Sequence, residues 1–213
     1  MSCCCPHSKS GGRLFSFFAR SYRRRFDKKG FEPSQEQLIQ GLEKVGFTNA
    51  TLLEVGSGVG YMHQVLLERG AKSAVGIDLA PDMLKEAQQW ADEKGLTDRV
   101  QYIQGDFIEL LDQVEAADVT ILDKVVCCYP HAELLVNSST KKTNRIYALT
   151  YPRKRWFIKL AIEMMAIGLK LIGSDFRAFV HNPDDIERWI LEAGFKKTYQ
   201  DQTFIWLSQI YTK

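Results

Sequence analysis

The 213-residue chain has no low-complexity tract, no internal repeat and no glycine-proline bias, so fibrous, repeat and mainly disordered architectures are excluded. It also lacks an uninterrupted long apolar run. The most apolar stretch, "WFIKLAIEMMAIGLKLIG", is broken by Lys159, Glu163 and Lys170, which a membrane-spanning helix would avoid. No apolar core precedes a small-residue cleavage site, so a secretory leader is not expected. Cysteine is scarce and badly spaced for structural work. The five cysteines form two adjacent groups, Cys3-Cys4-Cys5 and Cys127-Cys128, without the separated CxxC pairs of a zinc site or the even count of a disulfide framework. These absences predict a cytoplasmic protein without a bound metal, although "CCCPH" keeps open a soft-metal site. Cys127 and Cys128 are expected on a strand, pointing to opposite faces and packing in apolar surroundings.

What is present is an ordinary globular composition, 45% hydrophobic and 25% charged, with one asymmetry. Residues 1–30 hold eight Lys/Arg against Asp27 alone, a charge of +7 that leaves −5 on the remainder of a chain whose total is +2. Phe15, Phe18, Tyr22 and Phe26 recur in this leader at helical spacing, which predicts an amphipathic helix from Leu14 to Phe26. A second helix is predicted from Ser34 to Val45, after Pro33 and before Gly46. Residues 1–46 thus read as a helical leader and 47–213 as the main domain.

From Thr51 onward strands and helices alternate. "TLLEV", "SAVGID", "RVQYIQGD", "ADVTILD" and "NRIYALTYP" read as strands, separated by helical segments that include a short one at "FIELLDQV" and a long one from about Arg153 to Leu171. Such alternation implies right-handed crossovers and a Rossmann-like, doubly wound α/β sheet. "KKTYQDQ" and "TFIWLSQIYTK" follow too closely for a crossover helix, so they must pair as a hairpin with at least one strand antiparallel to the rest.

The first strand ends in "EVGSGVG", at the switch point where such sheets bind ligands. Glycine there lets a ligand approach the backbone closely, and the following helix offers free N–H groups. The glycines Gly56, Gly58 and Gly60 follow GxGxG rather than the dinucleotide GxGxxG, and Glu54 precedes them by two positions. That acid repels a pyrophosphate but attracts the ammonium or sulfonium of an amino-acid-bearing cofactor. Asp78 ends the second strand, where it can accept ribose hydroxyls. Asp106 ends the third, beside Phe107, where an adenine would lie.

An acid at the tip of each of the first three strands, with "EVGSGVG", "GIDLAPDML" and "GDF", resembles the class I S-adenosylmethionine-dependent methyltransferases from about Thr51 to the C-terminus. The resemblance implies a seven-stranded sheet with its last strand antiparallel. It implies S-adenosyl-L-methionine held by Glu54, Gly56, Ser57, Gly58, Gly60, Asp78, Leu79, Met83, Asp106, Phe107 and Asp123. Ala80 stands where the family often has a helix-capping serine. The leader together with "DKVVCCYP", "YALTYPRKRW" and "FVHNPDDIERWILEAGF" resembles bacterial enzymes near the magnesium-protoporphyrin O-methyltransferases, without fixing the acceptor.

The end of the fourth strand would lie beside the transferable methyl group, making Asp123, Lys124, Tyr129 and His131 candidates there, with Tyr129 or His131 as a proton acceptor. Tyr22, Lys124, Tyr151 and Arg153 are the substrate candidates. The basic rim of "LTYPRKRW" suits an anionic, partly apolar small molecule. A [DN]PP[YF] motif is absent, and so are the second carboxylate and asparagine of metal-dependent catechol-type enzymes, so neither amino-methylation of DNA nor metal-assisted transfer is supported and no nucleic-acid partner is expected. Two function classes remain open: a methyltransferase working by in-line displacement, with proximity and orientation as its main effect, and a non-catalytic sensor using the same pocket. An NAD-dependent oxidoreductase is disfavoured by the glycine spacing and Glu54. The leader is either a lid over cofactor and acceptor or a membrane-surface anchor with Cys3 to Cys5 acylated.

Overall fold

A computed structural model describes residues 6–213 of the chain, so Cys3, Cys4 and Cys5, with the acylation and metal readings placed on them, lie outside the described residues. The elements run α1 (Pro6–Lys29), α2 (Pro33–Val45), β1 (Thr51–Val55), α3 (Tyr61–Glu68), β2 (Ser73–Asp78), α4 (Pro81–Lys94) and β3 (Val100–Gln104). They continue as β4 (Ala117–Asp123), α5 (Ala132–Lys141), β5 (Thr143–Pro152), α6 (Trp156–Leu171), α7 (Pro183–Glu192), β6 (Lys196–Gln202) and β7 (Trp206–Thr212). The seven strands form one sheet in the order β3-β2-β1-β4-β5-β7-β6. The pairs among β1 to β5 are parallel, and β7 is antiparallel to both of its neighbours. The expected hairpin therefore slots its second strand inside the first.

Alternation along the strands splits the core into two layers. Leu52, Val119, Ile121 and Ala148 face α2, α3 and α4, while Leu53, Leu122, Tyr147 and Leu149 face α5 and α7. Punctuation residues set the helix limits: Pro33 and Pro81 sit in first turns, and Gly46 and Gly95 end α2 and α4 with φ of 82° and 66°. α2 is part of this sandwich. Leu38 and Leu42 are fully buried against the sheet, so α2 packs with the strands, while α1 and α6 contribute no residue to either core layer.

Three local expectations are corrected. α1 extends beyond Leu14–Phe26 in both directions, because Gly11 and Gly12 let its first turns pack closely: a Cβ on Gly12 would lie 3.0 Å from the Leu79 carbonyl oxygen. "FIELLDQV" forms only a turn and a 3-10 segment at Leu111–Gln113. Glu109 and Leu110 N–H groups there bond the Asp106 carbonyl, and Gly105 takes φ 150°. Cys127 and Cys128 lie in a 3-10 turn rather than on a strand, so both thiols reach the Lys124 carbonyl, at 3.2 and 3.4 Å.

Candidate cofactor and acceptor site

β1 and β4 are adjacent, and the chain leaves them toward opposite sides of the sheet; this is the switch point. The turn from Gly56 to Gly60 opens there. Gly56 and Gly58 have φ of 66° and 53°, which side chains with a Cβ rarely adopt, and a Cβ on Gly58 would meet no atom within 4 Å. The turn is pinned from β2: Asp78 Oδ2 accepts the Gly58 N–H at 2.8 Å, and its Oδ1 accepts the Ala80 N–H at 2.8 Å. Asp78 thus fixes the turn that leads into α4, whose first turn has no side-chain cap.

Beyond this turn lies a cavity of about 690 Å³ walled by the sheet's carboxyl edge, α1, α2 and α6. Tyr22, Glu54, Gly56, Ser57, Gly58, Asp78, Leu79, Met83, Asp106, Phe107, Asp123, Lys124 and Tyr129 all line it. Four expected site residues do not. Gly60 (φ 80°) faces Gln64 and Ala87, where it serves the turn into α3. His131 is exposed at the start of α5. Tyr151 is buried and donates to Gln209 Oε1 at 2.7 Å, because β5 keeps pairing with β7 through Pro152 and Tyr151 lies opposite Leu207 within that ladder. Arg153 donates to the Thr203 carbonyl at 3.0 Å, which turns it toward the β6–β7 hairpin. The rest of the expected basic rim follows it, with Lys154 on Asn182 and Arg155 over Phe157 and Phe204.

The electrostatics of the cavity centre on buried carboxylates. Glu54 is not an unpaired acid: its Oε2 accepts the His63 backbone N–H at 3.2 Å and lies 2.6 Å from His63 Nδ1. His63 Nε2 is in turn 2.9 Å from the Tyr102 hydroxyl. Burial pushes the Glu54 carboxyl above its usual range, against the pull of His63. Asp78 is raised chiefly by burial too, opposed by its backbone donors. Asp123 is raised by burial despite the neighbouring Lys124 and the 2.7 Å hydrogen bond from Gln35 Nε2 to its Oδ2. The Ser57 hydroxyl is shut from solvent against Gly76 of β2, and Thr150 also acts on the buried Asp123 carboxyl. The open space beside Gly58, with carboxylates lining the cavity, suits a ligand that brings cationic and hydroxyl groups.

Tyr129 donates its phenolic proton to Asp106 Oδ1 at 2.6 Å, and the Ile108 N–H reaches the same oxygen at 3.0 Å. Its proton is thereby committed to holding Asp106. Sequence reasoning missed Glu32, Arg25 and Gln35, which line the same space. Glu32 pairs with Arg25 at 2.6 Å and with Lys124, joining α1, α2 and β4 at the cavity wall. The signal was the reciprocal cap that Glu32 and Gln35 form around Pro33.

Comparison with known proteins gives this fold its relatives. Residues 52–142 match the family model described as a methyltransferase domain. Magnesium protoporphyrin IX methyltransferase from Synechocystis PCC 6803, solved with S-adenosylmethionine, superposes with a TM-score of 0.72 over 100% of both chains at 16% identity. An O-methyltransferase family 2 protein from Planctomyces limnophilus, in complex with apigenin, gives 0.65 over 94% of this chain and 65% of that one at 18% identity. In sequence, a ribosomal protein L11 methyltransferase of Haemophilus ducreyi is 29% identical over 111 residues, 52% of this chain and 36% of that protein. That of Pasteurella multocida is 32% identical over 72 residues, a quarter of its length (25%). Residues 52–142 are thus similar to a methyltransferase domain, and the fold around them is the one seen in solved S-adenosylmethionine-dependent methyltransferases.

Proposed function

We propose that this chain transfers a methyl group from S-adenosyl-L-methionine to a small, partly apolar acceptor held in the cavity under α1. The observation that carries the reading is the single cavity: the residues assigned to the cofactor and a set of apolar walls from α1 and α6 enclose one continuous space. When bound, the cofactor supplies an electrophilic methyl group on a sulfonium. The residues of the chain do the rest. Gly56 to Gly58 and Glu54 receive the amino-acid end, with Glu54 held in place by His63. Asp78, already fixed by two backbone donors, accepts the ribose hydroxyls. Asp106, held by Tyr129, meets the adenine amino group, with Phe107 and Met83 packing on the ring. Asp123, Lys124 and Tyr22 stand on the acceptor's side.

Neither Tyr129 nor His131 fits a proton-acceptor role, the first being a committed donor and the second lying outside the cavity. The Tyr22 hydroxyl is pushed up by burial and by the nearby Cys128 and Glu32, which keeps it protonated and a donor to the acceptor molecule. Transfer by alignment and exclusion of water is the mechanism that these groups support.

A second reading is a macromolecular acceptor, favoured by the matched ribosomal-protein methyltransferases. The covering of the cavity by Phe15, Phe18, Tyr22 and Phe26 favours the small molecule. Incubation with cofactor labelled in the methyl group and a cell extract decides between them. Label in an extractable small molecule is expected; label confined to protein would replace this reading with the second. Tight cofactor binding without any transfer would make the chain a sensor.

A further inference from the structure

α6 follows the fifth parallel strand, where a crossover helix would normally bury one face on the sheet. Here Ile158 is the one buried residue among its sixteen. Trp156, Leu160, Met164, Ile167 and Leu171 are 79, 53, 65, 63 and 84% exposed. Their spacing of four, four, three and four residues places all five on one face of the helix. Ile172, 75% exposed, continues the patch. The opposite side sends Met165 and Leu169 into the cavity wall. An apolar stripe of this kind marks a surface that something covers.

Charge identifies the occupant. Lys159 and Lys170, both exposed, flank the stripe with cations along one side of α6. The sole acid of the helix, Glu163, is tied to Arg177. Across the cavity, α1 repeats the pattern. Arg13, Phe17, Arg20 and Arg24 recur on one exposed face, and Phe17 is 82% exposed. Phe15 of α1 meets Phe176, in the segment after α6, edge to face at 5.2 Å, so α1 abuts the chain that leaves α6. A two-fold pairing of α6 with a second copy would bring Lys159 and Lys170 against their own kind, with no free acid on the helix to answer them. A bilayer with anionic headgroups answers both features, since aliphatic and tryptophan side chains enter the acyl boundary and the cations meet phosphates. No described helix is long and apolar enough to cross a membrane, which fits a helix lying in the interface.

We propose that the chain docks on anionic membrane surfaces through the exposed stripe of α6, with the arginine face of α1 beside it. Unlike an acylated leader, this contact needs no lipid on Cys3 to Cys5. It is independent of which acceptor is methylated, and it would set the cavity beside the phase in which an apolar acceptor dissolves.

The test is co-sedimentation of the full, unacylated chain with vesicles of phosphatidylcholine alone or mixed equally with phosphatidylglycerol. Binding to the mixed vesicles is expected, weakened by salt and by Lys159→Glu with Lys170→Glu. Leu160→Glu with Ile167→Glu removes two inserting side chains and should weaken partitioning by at least about tenfold. All four positions are exposed, so thermal unfolding and calorimetric cofactor affinity should stay as in the parent. The proposal is overturned if the parent ignores anionic vesicles, or if the Leu160 and Ile167 double variant binds them equally well. A mass that doubles with concentration in the parent but not in that variant, without vesicle binding, would assign the stripe to a second copy instead.

Discussion

Glu54 and His63 show how one residue can serve fold and ligand together. A carboxylate without a partner at this depth would be costly, and His63 supplies that partner from the first turn of α3, the helix that follows the glycine turn. Two substitutions separate the roles. Glu54→Gln keeps the shape but removes the charge proposed to face the cofactor's ammonium, and calorimetry should find S-adenosylmethionine bound about tenfold or more weakly. Unchanged affinity would remove Glu54 from the binding set. His63→Ala instead strands the buried acid and should cost about 3 kcal/mol of stability in denaturant titration. Asp123 carries a pH dependence. Its carboxyl is raised in the folded chain, so the folded state holds the proton longer than the unfolded state, and stability falls as pH rises through the folded value. Asp123→Asn should therefore stabilise the ligand-free protein at neutral pH and lessen the fall of its melting temperature from mildly acidic to neutral pH, while Glu54 and Asp78, raised in the same way, keep the rest of that fall. His181, lowered by burial, works in the opposite direction: its contribution is lost as pH falls below the ordinary histidine value, and this remains in the variant. A pH profile identical to the parent's would show that Asp123 ionises as freely folded as unfolded.

At the level of elements, close approach decides what the sequence could announce. Gly12 sets the first turns of α1 on the Leu79 carbonyl, next to Asp78. A leucine there must push α1 away from the β2–α4 connection. Gly12→Leu should loosen the lid and raise the KM for the acceptor severalfold while the fold persists; an unaltered KM would mean that α1 does not gate the cavity. Gly41 on α2 is a different case. A Cβ there would come within 2.5 Å of both Tyr199 and Ile210, so Gly41→Ala should cost about 1–3 kcal/mol by overpacking, read in denaturant titration. Neither contact is visible in a periodicity. The parallel strands were legible because β1 and β4 are near-continuous apolar runs and because Pro33, Pro81, Gly46 and Gly95 mark helix ends. The carboxylates were legible from their place at strand ends. The errors have specific physical causes. The fifth strand reads to Pro152, as found, but the antiparallel pairing of its end with β7 buries Tyr151 against Gln209, and Arg153 bonds the Thr203 carbonyl instead of facing the cavity. "VVCC" reads as strand by its β-branched residues, yet the turn after Lys124, itself at φ 59°, coils it into a 3-10 segment. α6 looked like any amphipathic crossover helix, and its apolar content could not say that the larger part would stay outside.

For the whole molecule, the question is whether α1 belongs to the fold or to the site. Its inner face supplies Phe26, stacked on Tyr61 at 4.0 Å and set against Trp90 at 5.1 Å, and Arg23 pairs with Glu93 over the same tryptophan. These contacts join α1 to α3 and α4 and continue into a third, smaller cluster of Ala19, Val59, Ala80 and Met83, while the two main core layers close without any residue of α1. The residues proposed for the cofactor likewise come from the strand ends and the turns that follow them. Removing residues 1–30 should therefore leave a folded domain that still gains stability from S-adenosylmethionine, by about 2.7 kcal/mol at a hundredfold excess over its own dissociation constant. Acceptor turnover should collapse, because the truncated cavity loses the wall of Phe15, Phe18, Tyr22 and Phe26 that keeps water from the methyl group. Thermal scans with and without cofactor, paired with single-turnover methylation, separate the possibilities. A truncated chain that fails to fold would make α1 part of the core, and one that folds and methylates at the parental rate would leave the enclosure of the site to other elements.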